Sequence, residues 1–166
     1  MVLTVLLASS SSAETSAGKG PEDSGSDLDP GLLRSEIPRE KAKAGPLAIF
    51  AAVEKAWQEE DARALVETLD PKEKVGLSFT NAGPRGGYFN RDQAFFLLKD
   101  LLEFTRTERF EFQKYWNLDS EGRSPYAVAI REFRMNDGTP HTDRVYISLR
   151  KREGAWYVGE IRSIDR

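Results

Sequence analysis

The chain has 166 residues, a formal charge of −3, 39% hydrophobic residues, one histidine and no cysteine. That charge offers no global field for nucleic acid or an anionic membrane. The missing cysteine excludes disulfides, thiolate metal sites, a cysteine nucleophile and a cysteine-linked lipid anchor. Nine Phe, five Tyr and three Trp can supply a core for one domain; at roughly 120 residues such a domain buries well over half of its unfolded surface.

Residues 2–8 are mostly apolar and lead into Ser-Ser-Ser-Ser-Ala, with Ser11 and Ala13 spaced as at a signal-peptidase site after Ala13. The run is too short to span a bilayer as a helix. No Lys or Arg precedes it, although secretory signals start basic, so the expectation is an export signal over 1–13 that is clipped at its start. This places the mature chain in a periplasm or outside the cell; without a signal it is cytoplasmic. Residues 14–45 are rich in Ser, Gly, Pro, Asp and Glu and read as a disordered linker, in which Leu28, Leu32, Leu33 and Ile37 could make a weak helical turn or docking segment. The folded domain is then expected over 46–166.

Gly45-Pro46 sets up a helix start, and Leu47, Phe50, Val53 and Trp57 put an apolar stripe on one face of it. A short second helix begins near Asp61, buries Leu65 and Leu69, and is stopped by Asp70-Pro71. Val75, Leu77 and Phe79 alternate as a strand does, a Gly-rich loop follows, and Tyr88-Phe89 reads as a return strand. Asn90 and Gln93 have the spacing of a helix cap. The helix behind them carries Ala94, Phe95, Leu97, Leu98, Leu101, Leu102 and Phe104, an apolar surface that predicts a central position packed into a sheet.

Phe110, Phe112, Lys114, Trp116 and Leu118 alternate with Glu111, Gln113, Tyr115 and Asn117. Strands are expected at 126–135, 145–151 and 156–164, joined by turns at Asn136-Asp137-Gly138 and Glu153-Gly154. In 126–133 and 155–164 both alternating sets contain apolar residues, so either side chains shield the second face or a partner subunit covers it. Helices followed by a meander predict an α+β fold, with the helices on the concave face of a curved antiparallel sheet.

The order helix, helix, hairpin, long apolar helix, three-stranded meander resembles the nuclear transport factor 2-like, or cystatin-like cone, superfamily over about residues 46–164. Tyr88-Phe89-Asn90-Arg91-Asp92-Gln93-Ala94, then Leu101-Leu102-Glu103-Phe104, then Asp137-Gly138 before Val145-Tyr146-Ile147 are similar to a small bacterial branch of unknown function within it. The resemblance implies a conical cavity between helices and sheet, homodimerisation through the outer sheet face, and no agreed activity. Members that are isomerases, dehydratases or epoxide hydrolases place Asp, His, Tyr or Arg in that cavity, where desolvation tunes a carboxylate.

Candidate site residues follow from this frame, each beside a plainer reading. Arg131, Glu132, Arg134, Arg150, Glu160 and Arg162 could line the mouth of a pocket for an acidic or polar ligand, with Tyr115, Tyr126 and Tyr157 supplying hydroxyls. The plainer reading of the same residues, and the one ordinary sheets favour, is cross-strand ion pairing on a wet face. Trp57, Phe95, Phe96, Trp116 and Trp156 could line an apolar pocket or fill the core. Glu160 alternates with Trp156 and Val158, so an inward orientation would bury its carboxylate among apolar groups. His141, beside Pro140, is expected in an exposed hairpin tip, too peripheral for a general base or a Ser/His/Asp set.

The loop Gly-Pro-Arg-Gly-Gly at 83–87 lacks phosphate-loop spacing. No His/Asp/Glu cluster has metal-ligand spacing, and nothing in the chain calls for a cofactor. The combined expectation is a non-catalytic module that binds a small apolar or amphipathic ligand or a protein partner, through Trp57, Phe95, Tyr115, Trp116, Arg131, Trp156 and Glu160. The alternative is a cavity enzyme of isomerase or hydratase type, using Glu160 or Glu132 with Tyr126.

Overall fold

The computed structural model describes residues 45–119 and 122–165, so the export signal and most of the linker expected in the amino-terminal region lie outside the described residues. Three helices and six strands follow in the order α1 (Pro46–Gln58), α2 (Ala62–Glu67), β1 (Val75–Ser78), β2 (Gly87–Phe89), α3 (Arg91–Phe104), β3 (Thr105–Trp116), β4 (Tyr126–Met135), β5 (Pro140–Arg152) and β6 (Ala155–Asp165).

Local chemistry explains the helix ends. Pro46 opens α1, where its missing N–H costs nothing. Glu60 takes a left-handed φ of 53° and ends that helix, and the Asp61 carboxylate then accepts from the Arg63 and Ala64 amides to start α2. Asn90 and Gln93 form the expected reciprocal cap of α3, at 2.9 and 3.1 Å. The tight turn between β5 and β6 has positive φ at both Glu153 and Gly154, the backbone that a two-residue hairpin requires.

All six strands form one sheet in the order β2-β1-β6-β5-β4-β3. The meander β3–β6 is antiparallel throughout, as expected. The sheet as a whole is mixed, because β1 lies parallel to β6 with Leu77 opposite Ile161. Alternation tells which residues share a face; it carries no information about the direction of a distant neighbour.

The core lies between the helices and one sheet face. From α1, Phe50, Val53, Ala56 and Trp57 are buried. Trp57 stacks on Phe110 at 4.6 Å, and Phe50 meets Phe112 edge-on at 5.3 Å. Opposite these large rings β4 presents Ala127 and Ala129, small residues that leave room for them. Helix α3 buries Ala94, Leu98, Leu101 and Leu102. Its remaining aromatics depart from the expectation of a fully enclosed helix: Phe96 is 64% and Phe104 59% exposed. At about 100° per residue, both fall away from the stripe that the four buried residues define.

Two further departures concern the strands. β3 runs straight out of α3 at Thr105, several residues before the apolar alternation begins. β5 starts at Pro140, so His141 is a half-buried strand residue stacked on the Phe133 ring at 5.4 Å, not an exposed turn residue. Cross-strand pairing with Phe133 draws it in, a contact that turn chemistry alone does not announce.

Candidate functional site

Three irregularities in strand pairing decide where the predicted site residues point. In β3 the register shifts between Thr107 and Arg109, and again between Phe112 and Lys114. The second shift inverts the alternation. Phe110 and Phe112 face the core, but Trp116 turns to the outer face, where it stacks on Tyr126 at 4.7 Å with Lys114 over its ring. Tyr115 takes the inner position instead, 5.5 Å from Phe50, and burial raises its hydroxyl pKa. Between β5 and β6, Ser148 pairs with Glu160 and Leu149 with Val158, which leaves Gly159 as the extra residue. Val158 is buried and Glu160 is exposed. The inward carboxylate that unbroken alternation implied is therefore absent from the core.

The outer face gathers most of the charged candidates. A cleft of about 550 Å³ is walled by Trp116, Tyr126, Val128, Ile130, Glu132 and Tyr146, among others. A neighbouring cleft of about 400 Å³ adds Ser148, Glu160, Arg162 and Ile164 and shares Tyr126 and Tyr146 with the first. Both carboxylates of the enzyme alternative thus share a cleft with Tyr126, on an open surface where water screens them. Arg109 bonds Glu111 and approaches Glu132 at 3.5 Å, and Arg134 bonds Glu108 at 2.6 Å. The first of these pairs lies along β3 and the other two cross from β3 to β4, all of them ordinary ion pairs of a solvated face. Arg150 donates to the Lys74 and Gly159 carbonyls, tying β5 across β6 to the start of β1.

Trp156 stands apart from both groups. It is half-buried against the core and lines a cleft of about 500 Å³ beside α1, with Ala48, Ile49 and Ala52. Phe95 borders a fourth cleft of about 790 Å³, where Ala62, Leu102 and Thr105 also line the wall.

Arg131 is where the structure differs most from a pocket mouth. It shares the inner side of β4 with Ala127, Ala129 and Phe133, and it is 0% exposed. Its guanidinium lies 4.0 Å from the Phe133 ring and 5.5 Å from that of Trp57. One nitrogen, Nη2, donates to the Thr105 hydroxyl. Burial pulls its pKa down to about 10, against the attraction of Asp143 and Glu60. Asp143, buried on β5 and paired in register with Arg131, accepts from Asn81 at 2.8 Å. Sequence reasoning missed Thr105, Thr107 and Asp143 here. The signal for Asp143 was available: it shares the parity of Val145, Ile147 and Leu149, all inward on β5.

A half-wrapped curved sheet with α1 and α3 on its inner face is the nuclear transport factor 2-like, cone-shaped α+β fold, and comparison with solved structures agrees. The chain is similar to a DUF4783 family protein from Bacteroides uniformis, with TM-score 0.58 and 17% identity over 70% of this chain and 95% of that one. It is similar to a ketosteroid isomerase-like protein from Erwinia carotovora atroseptica, with TM-score 0.59 and 16% identity over 76% of this chain and 96% of that one. A designed nuclear transport factor 2 protein matches with TM-score 0.52 and 17% identity over 71% of this chain and 95% of that one. No protein-family profile matches the chain, and no curated protein is detectably similar to it. Among the described residues no helix is long and apolar enough to cross a membrane.

Proposed function

We propose that residues 46–166 form a non-catalytic interaction module of an exported protein, assembled as a homodimer through the outer sheet face. One observation carries this reading. The inner face is filled by Trp57, Phe50, Phe110 and Phe112, while Trp116, Tyr126, Val128, Ile130, Tyr146 and Ile164 form a partly exposed apolar surface on the other side. An apolar floor rimmed by charge marks a docking surface. The enzyme alternative draws less support, since Glu132 and Glu160 stand on that open face and not in a desolvated pocket.

Native mass spectrometry of the purified chain, with light scattering across concentrations, tests the assembly. A dimer is expected, and Ile130→Lys should split it by at least tenfold in dissociation constant while leaving the circular dichroism unchanged. A wild-type chain that stays monomeric at all concentrations sinks the proposal. The export reading of residues 1–13, followed by a linker over 14–45, is tested by amino-terminal sequencing from the native host. A mature chain starting near Glu14 is expected, and one still starting at Met1 removes the reading.

A further inference from the structure

The outer face carries charges that the chain itself leaves unpaired. Among the described residues neither Glu160 nor Arg162 has a hydrogen-bond or ion-pair partner, and both border the cleft of about 400 Å³ beside the apolar floor. A second copy seated on that floor takes both groups out of water. A charge desolvated without a partner is strongly destabilising, so a stable contact has to bring acid to base across it.

The strand registers contain an arrangement that does so. Two rows of side chains cross the outer face. Trp116, Tyr126, Ser148 and Glu160 are successive partners in one, and Lys114, Val128, Tyr146 and Arg162 in the next. All eight border the two outer clefts. Two copies packed face to face are related by a two-fold axis in the plane between their sheets, and every contact then occurs twice. With that axis across the strands and midway between the rows, each strand lies over its own counterpart and each row over the other row. Glu160 of each copy then meets Arg162 of the other, giving two charge-assisted pairs side by side at the β6 end. Ser148 meets Tyr146, hydroxyl to hydroxyl, and Tyr126 meets Val128. Lys114, which already lies 5.0 Å from the Trp116 ring of its own chain, meets Trp116 of the second copy as well.

Neighbouring arrangements bring like charges together. Moving the axis onto the first row sets Glu160 against Glu160, and moving it onto the second sets Arg162 against Arg162. Turning it along the strands, midway between β4 and β5, sets Arg162 against Lys114. Repulsion in the wrong registers selects the right one as much as attraction within it does. We infer that the outer face is self-complementary, and that a reciprocal Glu160–Arg162 ion pair seats the second copy with its strands antiparallel over those of the first. This rests on the assembly reading and adds to it the residues that choose partner and orientation.

The test exchanges the charges in the full chain. Glu160→Arg and Arg162→Glu both fall at exposed positions, so the circular dichroism of each should stay that of the wild type. Native mass spectrometry across concentrations at low ionic strength should find self-pairing of each single variant weakened by roughly tenfold or more. Mixed in equal amounts, the two variants set two basic against two acidic side chains, and the mixed dimer should exceed both self-pairs by about tenfold. A chain carrying both changes restores the complement and should pair within roughly threefold of the wild type. Statistical mixing of the two variants, single variants that pair like the wild type, or a doubly changed chain no better than either single one overturns the inference and leaves the dimer standing. A wild-type chain that is monomeric throughout removes the assembly reading and this inference with it.

Discussion

Phe133 sits between two nitrogen-bearing groups, the Arg131 guanidinium at 4.0 Å and the His141 ring at 5.4 Å. Across the ladder, Asp143 faces Arg131, with Asn81 and Asp165 beside it. Burial raises the Asp143 carboxyl above the ordinary carboxylate range, while the Asn81 hydrogen bond and the Arg131 charge work against the rise. The folded chain therefore holds this proton more tightly than the unfolded chain does. The group favours folding below the unfolded carboxyl pKa, and that contribution is lost as pH rises through the elevated folded value. Asp143→Asn keeps an acceptor for Asn81 and removes the titration. Urea midpoints from acid to neutral pH should move in the variant's favour as pH rises; a constant difference would mean that Asp143 titrates as an exposed acid. Arg131 illustrates what sequence reading misses at this scale. Its parity with Ala127, Ala129 and Phe133 was visible, but the opposite set, Tyr126, Val128 and Ile130, is the more apolar of the two. Packing decided the matter: α1 brings Trp57 and Phe50, Ala127 and Ala129 leave room for their rings, and the alternation of β4 carries Arg131 inward with those alanines.

At the scale of elements, short-range chemistry and strand irregularity have different reach. The reciprocal cap of α3 depends on two side chains three residues apart, so it could be read directly. Asn90→Ala should cost about 1 kcal/mol in chemical denaturation; no measurable loss would show that α3 is held by packing alone. The bulge at Gly159 has no such local signature. One extra residue reverses every side chain beyond it, which moves Glu160 out to solvent and keeps Ile161 and Ser163 in the core. Deleting Gly159 makes the alternation regular, with Val158 and Ile161 two residues apart and both inward and Glu160 still outward. The variant should keep its fold and lose about 1 kcal/mol by urea unfolding, chiefly the Arg150 bond to the Gly159 carbonyl, and a loss of several kcal/mol would show that the added twist of the bulge itself holds the sheet. The same argument holds for Trp116 and Tyr115, exchanged between faces by the shift after Phe112.

For the whole molecule, the sheet edges bear on the proposed dimer interface. One edge is β2, three residues long. The other is β3, interrupted twice by register shifts and carrying Arg106, Glu108 and Arg109. Short, bulged or charged edges resist pairing with another chain, which is consistent with placing the proposed dimer contact on the broad outer face. The exposed Phe96 and Phe104 of α3 lie elsewhere and make no such continuous floor.

What the chain's sequence determined by itself was the succession of elements, the starts of α1 and α3, the hairpin turns and the α+β class, because capping, turn geometry and hydrophobic period act over a few residues. The tertiary structure alone decided that β1 runs parallel to β6, that Arg131 lies in the core, and that Trp116 and Glu160 face outward. Each of these depends on register against a strand distant in sequence and on the volume left by α1, and no local pattern encodes either quantity.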